Sequence, residues 1–345
     1  MLPAFIGIIS ALVSGVLNGS FAAPMKRTVK WEWENIWLIW AVWALIIVPL
    51  VIAFSTVPEL FGVYRQTPSG VLVRTFLFGL GWGLGAITFG KGLHMVGLSL
   101  GFSIIIGITA VTGALIPMLI FSPATILTPG GLVIIVGMLV TIAGVAFCGA
   151  AGMIKEAGRA AEQGDNASRS NFKLGFLVCL VSGIFNAMLN LAFVFGAPIA
   201  EVAKEYVAGP TAAFRAGNAI WVLALAGAFV TNLGYCGWLM LRRGTWKNYT
   251  SSQTGTYWFW AFLMGTLWFG GVALYGAGAS TLGKLGTTVA WIILMATSVL
   301  VGNVWGILSG EWKDAPKKAY RRMAQGLTLL IGSIILVSLG RYMLN

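Results

Sequence analysis

Two asparagines close the same phrase in this 345-residue chain: Leu12-Val13-Ser14-Gly15-Val16-Leu17-Asn18 returns as Leu180-Val181-Ser182-Gly183-Ile184-Phe185-Asn186. A carboxamide brings donors and acceptors without a charge, so the pair is suited to binding and not to bond breaking. Asn190 follows Asn186 by one helical turn, on the same face. A second set of matches relates Trp82, Gly85, Phe89-Gly90, Gly92 and Gly97 to Trp268, Gly271, Tyr275-Gly276, Gly278 and Gly283. It adds two repeat-related indoles and the Tyr275 hydroxyl, and Thr88 lies inside the first copy. Amides and hydroxyls beside tryptophans fit a neutral polar solute such as a sugar, with hydrogen bonds for its hydroxyls and an aromatic face for its C–H side. We expect Asn18, Trp82, Thr88, Asn186, Asn190, Trp268 and Tyr275 to line such a site.

Charged chemistry is nearly absent. The ten acids are Glu32, Glu34, Glu59, Glu156, Glu162, Asp165, Glu201, Glu205, Glu311 and Asp314, and all fall in loops or at helix ends. A charged solute would call for an ionised partner within the apolar segments, and none is offered there. Glu201, just after Pro198 at the outer end of the Asn-bearing sixth helix, is the candidate for capturing a proton. Glu34 and Glu311, beside Trp33 and Trp312, are expected to pair with nearby Lys or Arg. The one histidine, His94, has no nucleophile or metal-ligand spacing around it, and no phosphate loop occurs. Cys148, Cys179 and Cys236 sit singly in apolar runs and read as small buried residues. Neither a catalytic site, a metal site nor a cofactor is expected.

The elements that must position these residues are membrane helices. Hydrophobic residues make up 58% of the chain and charged ones 9%, against about 25% charged in a soluble domain. Apolar runs long enough to span a bilayer, roughly 20 residues each, fall near 4–24, 35–57, 70–90, 95–121, 130–152, 174–199, 213–241, 255–280, 285–309 and 323–343. The polar stretch 153–172 divides them five and five, giving halves 1–152 and 173–345. An odd number of helices per half makes the second copy enter from the opposite side, so the expected fold is an all-α integral membrane protein of ten helices in two inverted five-helix repeats. Odd-numbered connections hold 16 of the 22 Lys and Arg residues. By the positive-inside rule they face the cytoplasm, and both termini face outward. The net charge of +12 thus reflects orientation and not nucleic-acid binding. The first helix lacks a basic leader and is followed by Lys26, Arg27 and Lys30, so it is expected to stay in the membrane. Trp31, Trp33, Trp37, Trp246, Trp258 and Trp312 are expected in the interfacial belts. The glycines of Gly79-Leu80-Gly81-Trp82-Gly83-Leu84-Gly85 allow close helix crossing.

Several stretches resemble the L-rhamnose–proton symporters of the drug/metabolite transporter superfamily. They are Ala23-Pro24-Met25-Lys26 with Lys30 through Trp37, Trp82-Gly83-Leu84-Gly85 with Phe89-Gly90, Gly97 through Gly101, and Gly107-Ile108-Thr109. Gly183-Ile184-Phe185, Pro198 with Glu201, Asn232 through Cys236, and Gly310-Glu311-Trp312 continue the likeness along essentially the whole chain. The resemblance implies an inner-membrane carrier that couples uptake of a 6-deoxy-hexose to inward proton flow. Its partners would be the sugar, the proton and the lipid bilayer, and it would work as a monomer or weak dimer by alternating access. Two other readings stay open from the residues alone. One is an exporter or facilitator of another small metabolite on the same fold; the other is a membrane sensor or scaffold with no transport cycle.

Overall fold

The computed structural model describes residues 2–96, 98–163, 172–209 and 211–344. Among them ten helices are long and apolar enough to cross a membrane. They are α1 (Leu2–Ser20), α2 (Trp33–Thr56), α3 (Ser69–Val96), α4 (Leu98–Phe121), α5 (Pro129–Gln163), α6 (Phe172–Phe195), α7 (Asn218–Arg243), α8 (Gly255–Thr281), α9 (Gly286–Leu308) and α10 (Lys317–Tyr342). No strand occurs among the described residues. The chain is an all-helical, multi-pass integral membrane protein, the solution lipid enforces when every backbone group must be satisfied within its own segment.

Helix ends depart from the apolar runs where polar residues prolong a helix beyond lipid. α5 continues to Gln163, so the first half of the expected linker 153–172 is helical; Ala, Glu, Lys and Arg there are good helix formers. Residues 164–171 of that linker, and Gly97 of the second repeat, lie outside the described residues. α3 runs on through Lys91 to Val96, and α10 begins at Lys317, just after Pro316. At the start of α2, Asn35 Oδ1 accepts the Glu32 N–H at 3.2 Å, half of a reciprocal cap.

Two prolines alter the ladder inside the bundle. Pro49 has no N–H for the Leu45 carbonyl, and α2 widens to a π turn over Val42–Ile47 just before it. Pro117 in α4 likewise leaves the Gly113 carbonyl without its helical donor. Asn190 of α6 supplies one, its Nδ2 lying 2.6 Å from that oxygen.

The packing recurs at repeat-related places. α1 packs on α8 and α9, α6 packs on α3 and α4, and α5 pairs with α10. Ser14 Oγ donates to the Gly271 carbonyl at 2.6 Å, and Ser182 Oγ to the Gly85 carbonyl at 3.1 Å. Thr109 Oγ1 donates to Gly183 O at 3.1 Å, and Ser298 Oγ to Gly15 O at 3.3 Å. Such bonds add only about 0.6 kcal/mol each in membranes, so close packing over small residues carries most of the association. At Gly79 a Cβ would stand 1.7 Å from the Ala224 carbonyl oxygen, which fixes α3 against α7.

Candidate functional site

A cavity of about 490 Å³ lies where α1, α2, α3, α4, α6, α8 and α9 meet. It runs from the middle of the bundle toward the face that carries the odd-numbered connections: the end of α1 and the turn after it (Asn18, Ala22), the start of α2 (Trp33), the end of α3 (Gly90, Leu93), the start of α4 (Phe102) and the end of α9 (Gly302). Five indoles form one wall. Trp33 stacks on Trp37 at 5.2 Å between centroids, Trp37 leans on Trp40 at 4.3 Å, Trp40 meets Trp268 edge-on at 5.5 Å, and Trp268 stacks on Trp82 at 5.1 Å. The ladder is bound to α7 through Trp37 Nε1, which donates to Asn232 Oδ1 at 2.9 Å.

Polar groups are few and neutral. Asn18 and Asn186 both line the cavity. Asn186 spends its Nδ2 on Ser182 O and Oγ, at 2.8 and 3.1 Å, which leaves Oδ1 as its acceptor toward the cavity. Thr109 and Ser298 contribute hydroxyls whose protons go to backbone carbonyls, of Gly183 at 3.1 Å and of Leu294 at 2.7 Å, so each presents acceptor lone pairs. Among the described residues no charged side chain lines the cavity. Broad aromatic faces, a few amides and no charge suit a neutral, hydroxyl-bearing molecule, and the volume falls within the range of about 300–1,000 Å³ common for small-molecule sites.

Four of the seven expected site residues, Asn18, Trp82, Asn186 and Trp268, come together in this cavity. Three do not. Thr88 turns its hydroxyl back to the Leu84 and Gly85 carbonyls of its own helix, at 2.9 and 3.1 Å. Asn190 and Tyr275 are fully buried behind the Trp291 wall, where the Tyr275 hydroxyl donates to Asn190 Oδ1 and its ring meets Trp291 at 5.5 Å. The belt assignment also fails for some tryptophans. Trp33 and Trp37 belong to the cavity wall, and Trp31 is buried against Tyr249, Tyr257 and Trp258. Trp312 is buried as well, while Trp246 and Trp258 are exposed. Sequence reasoning missed Thr109, Ser298, Phe102 and Trp291. Their signal was a further repeat, in which Phe102, Thr109 and Gly113 of α4 correspond to Trp291, Ser298 and Gly302 of α9.

The acids stand away from the cavity wall. Glu201 lies on the short helix Ala197–Lys204, exposed and paired with Lys204 at 2.7 Å. Glu34 is fully buried at the start of α2, where Arg243 Nη1 approaches its Oε2 at 3.2 Å and Thr245 Oγ1 donates to its Oε1 at 3.1 Å. Glu311, between α9 and α10, pairs with Lys26 of the first connection. The Lys26 ammonium, donating a hydrogen bond, holds the Glu311 carboxyl below its ordinary range. Among the described residues no cluster of His, Cys, Asp or Glu could hold a metal ion.

Comparison with known proteins adds a chemical name to this arrangement. The profile of the family described as L-rhamnose-proton symport protein matches residues 3–343. Proteins named L-rhamnose-proton symporter from Yersinia pestis (strain Pestoides F) and Yersinia pseudotuberculosis serotype O:1b (strain IP 31758) are each 30% identical over 351 residues, covering 97% of this chain and 97% of theirs.

Proposed function

This chain belongs to the L-rhamnose–proton symport family, and from that premise we propose that it carries L-rhamnose into the cell together with a proton, by alternating access. The observation that carries the reading is the uncharged, indole-walled cavity in the middle of a ten-helix membrane protein. A 6-deoxy-hexose is neutral, hydroxylated on one side and apolar on the other, and that wall offers a partner to each side. Asn18 and Asn186 are the amides assigned to its hydroxyls, and Trp82 and Trp268 the rings assigned to its C–H face.

The halves 1–152 and 173–345, joined by 153–172, act as inverted repeats. The duplicated Ser-to-Gly and Thr/Ser-to-Gly hydrogen bonds support that relation, because the two helices joined by one bond are the repeat equivalents of the two joined by its counterpart. The excess of Lys and Arg on odd-numbered connections supports a cytoplasmic open face for the cavity, with both termini outside, and the inner-membrane setting rests on the family. The protein is proposed to work as a monomer or weak dimer.

The reading is tested by adding L-rhamnose to de-energised cells in weakly buffered medium while recording external pH. A transient alkalinisation that vector controls lack is the expected result. Entry of labelled rhamnose without any pH change would replace symport by facilitated diffusion. Replacing Asn18 and Asn186 together with Ala should lower uptake at least tenfold with the protein still in the membrane; unchanged uptake would remove both from the site.

A further inference from the structure

The repeat equivalences also compare the two ends of the substrate path, which differ in this structure. The shut side is built from Gly113 of α4, Asn190 of α6, and Tyr275 and Gly276 of α8, with Trp291 of α9 between them and the cavity. Counting along the matched helices, their equivalents are Gly302, Ala22, Phe89, Gly90 and Phe102. All five of these line the cavity on its open side.

The two sets have opposite surroundings. A Cβ at Gly113 would stand 2.3 Å from Trp291 Nε1, and one at Gly276 would stand 2.8 Å from Trp221 Nε1. At Gly302 and Gly90 a Cβ would meet nothing within 4 Å. The ring of Tyr275 is enclosed by Phe193, Trp221 and Trp291, at 5.7, 6.2 and 5.5 Å. Among the described residues Phe89 has one ring contact, with Phe102, edge-on at 6.0 Å.

Inverted repeats exchange their environments when the carrier turns over. We propose, resting on that reading of the two halves, that Phe89 and Phe102 are the cytoplasmic gate, closing over Gly90 and Gly302 as Tyr275 and Trp291 now close over Gly276 and Gly113. The two gates are chemically unequal. The outer one carries a polar latch: Tyr275 donates to Asn190, and Asn190 donates to the Gly113 carbonyl that Pro117 has set free. The inner one has Phe89 for the tyrosine and Ala22 for the asparagine, and Gly306 in place of the proline keeps the N–H that position 302 needs. Without a latch of its own, the cytoplasmic gate is the weaker, and the resting protein stands open to the cytoplasm.

The test uses the full-length protein with a reporter cysteine, Ala86→Cys, in the cavity wall. The reporter is labelled in inside-out vesicles by a membrane-impermeant maleimide, with the parent, whose three cysteines are buried, as blank. Gly302→Leu and Gly90→Leu should each lower sugar uptake more than tenfold while the reporter labels at least as fast as before, because the gate is wedged open. Tyr275→Phe should slow labelling from the cytoplasmic side at least threefold, because the outer gate has lost its latch. Wild-type uptake by both leucine variants would overturn the gate, and unchanged labelling of Tyr275→Phe would overturn the latch. The labelling arm needs no sugar. A wild-type protein that takes up no L-rhamnose, in vesicles where labelling shifts as described, would therefore refute the substrate and leave the gate standing.

Discussion

Glu34 and Arg243 form an ion pair whose two members differ sharply in exposure, and that difference predicts unequal mutants. The Glu34 side chain is fully buried, whereas 55% of the Arg243 side chain is exposed. Replacing Arg243 with Ala leaves a carboxylate inside the protein without its cation, a change that costs about 3–5 kcal/mol for a wholly buried pair. Two features of this site reduce that figure. Thr245 Oγ1 still donates to Glu34, and the carboxylate lies in the first turn of α2, where the helix dipole stabilises it by up to about 1 kcal/mol. We therefore expect Arg243→Ala to destabilise by about 2–3 kcal/mol. Glu34→Gln removes the charge, keeps an acceptor for Thr245 and returns the guanidinium to water, so its loss should be about 1 kcal/mol.

Detergent-solubilised membrane proteins commonly unfold irreversibly, so the comparison is of apparent melting midpoints at one heating rate in one detergent. The expected order is wild type, then Glu34→Gln, then Arg243→Ala, with the double variant no worse than Glu34→Gln because the orphaned charge is gone. Arg242→Ala is the control; that residue only stacks over Trp238 at 5.4 Å, a contact of about 0.5–1 kcal/mol. If Glu34→Gln melts lower than Arg243→Ala, burial of the carboxylate is not what makes the pair asymmetric and the reasoning fails.

Three other outcomes follow from the geometry. Glu201→Gln should leave uptake and sugar-dependent alkalinisation within twofold of wild type, because the Glu201 carboxylate is exposed and paired with Lys204 away from the cavity wall; loss of alkalinisation with sugar entry retained would make Glu201 the proton carrier. The Lys26–Glu311 pair ties the first connection to the ninth. Because the folded carboxyl titrates below its unfolded value, its small stabilisation is present above the ordinary carboxylate range and lost as pH falls through the folded value. Lys26→Ala should accordingly lower the melting midpoint at pH 7 and have no effect at the acid end, whereas an effect independent of pH would contradict that assignment. Trp268→Ala removes the ring shared by Trp82 and Trp40, each contact contributing about 0.5–1.5 kcal/mol beyond area. It should raise the KM for uptake at least tenfold, with Trp268→Phe intermediate; an unchanged KM would take the ladder out of the binding site.

The ten helices were legible because lipid imposes a composition that a long apolar run displays directly. Their ends were not, since Lys155 and Arg159 can continue α5 in water as readily as apolar residues do in lipid. Trp33 and Trp37 were misplaced for a related reason. An indole near a helix end suits a headgroup belt as well as a cavity mouth, and only the tertiary positions of α1, α3 and α9 distinguish the two.

The misplacement of Asn190 and Tyr275 has a different origin, which bears on how such chains work. Repeat symmetry in the sequence treats equivalent residues as though they shared one environment, and Asn18 and Asn186, or Trp82 and Trp268, do line one cavity. Away from the centre a carrier cannot be open on both sides at once, so any single conformation must break the symmetry. Tyr275 is sealed while Phe89 lines the cavity, and Asn190 is sealed while Ala22 lines it. The sequence difference between those equivalents follows the same division: hydrogen-bonding side chains stand at the shut end and apolar ones at the open end. A residue one or two turns from the symmetric centre is therefore better read as part of a gate than as a contact to the solute, and its chemistry indicates how firmly that gate is held.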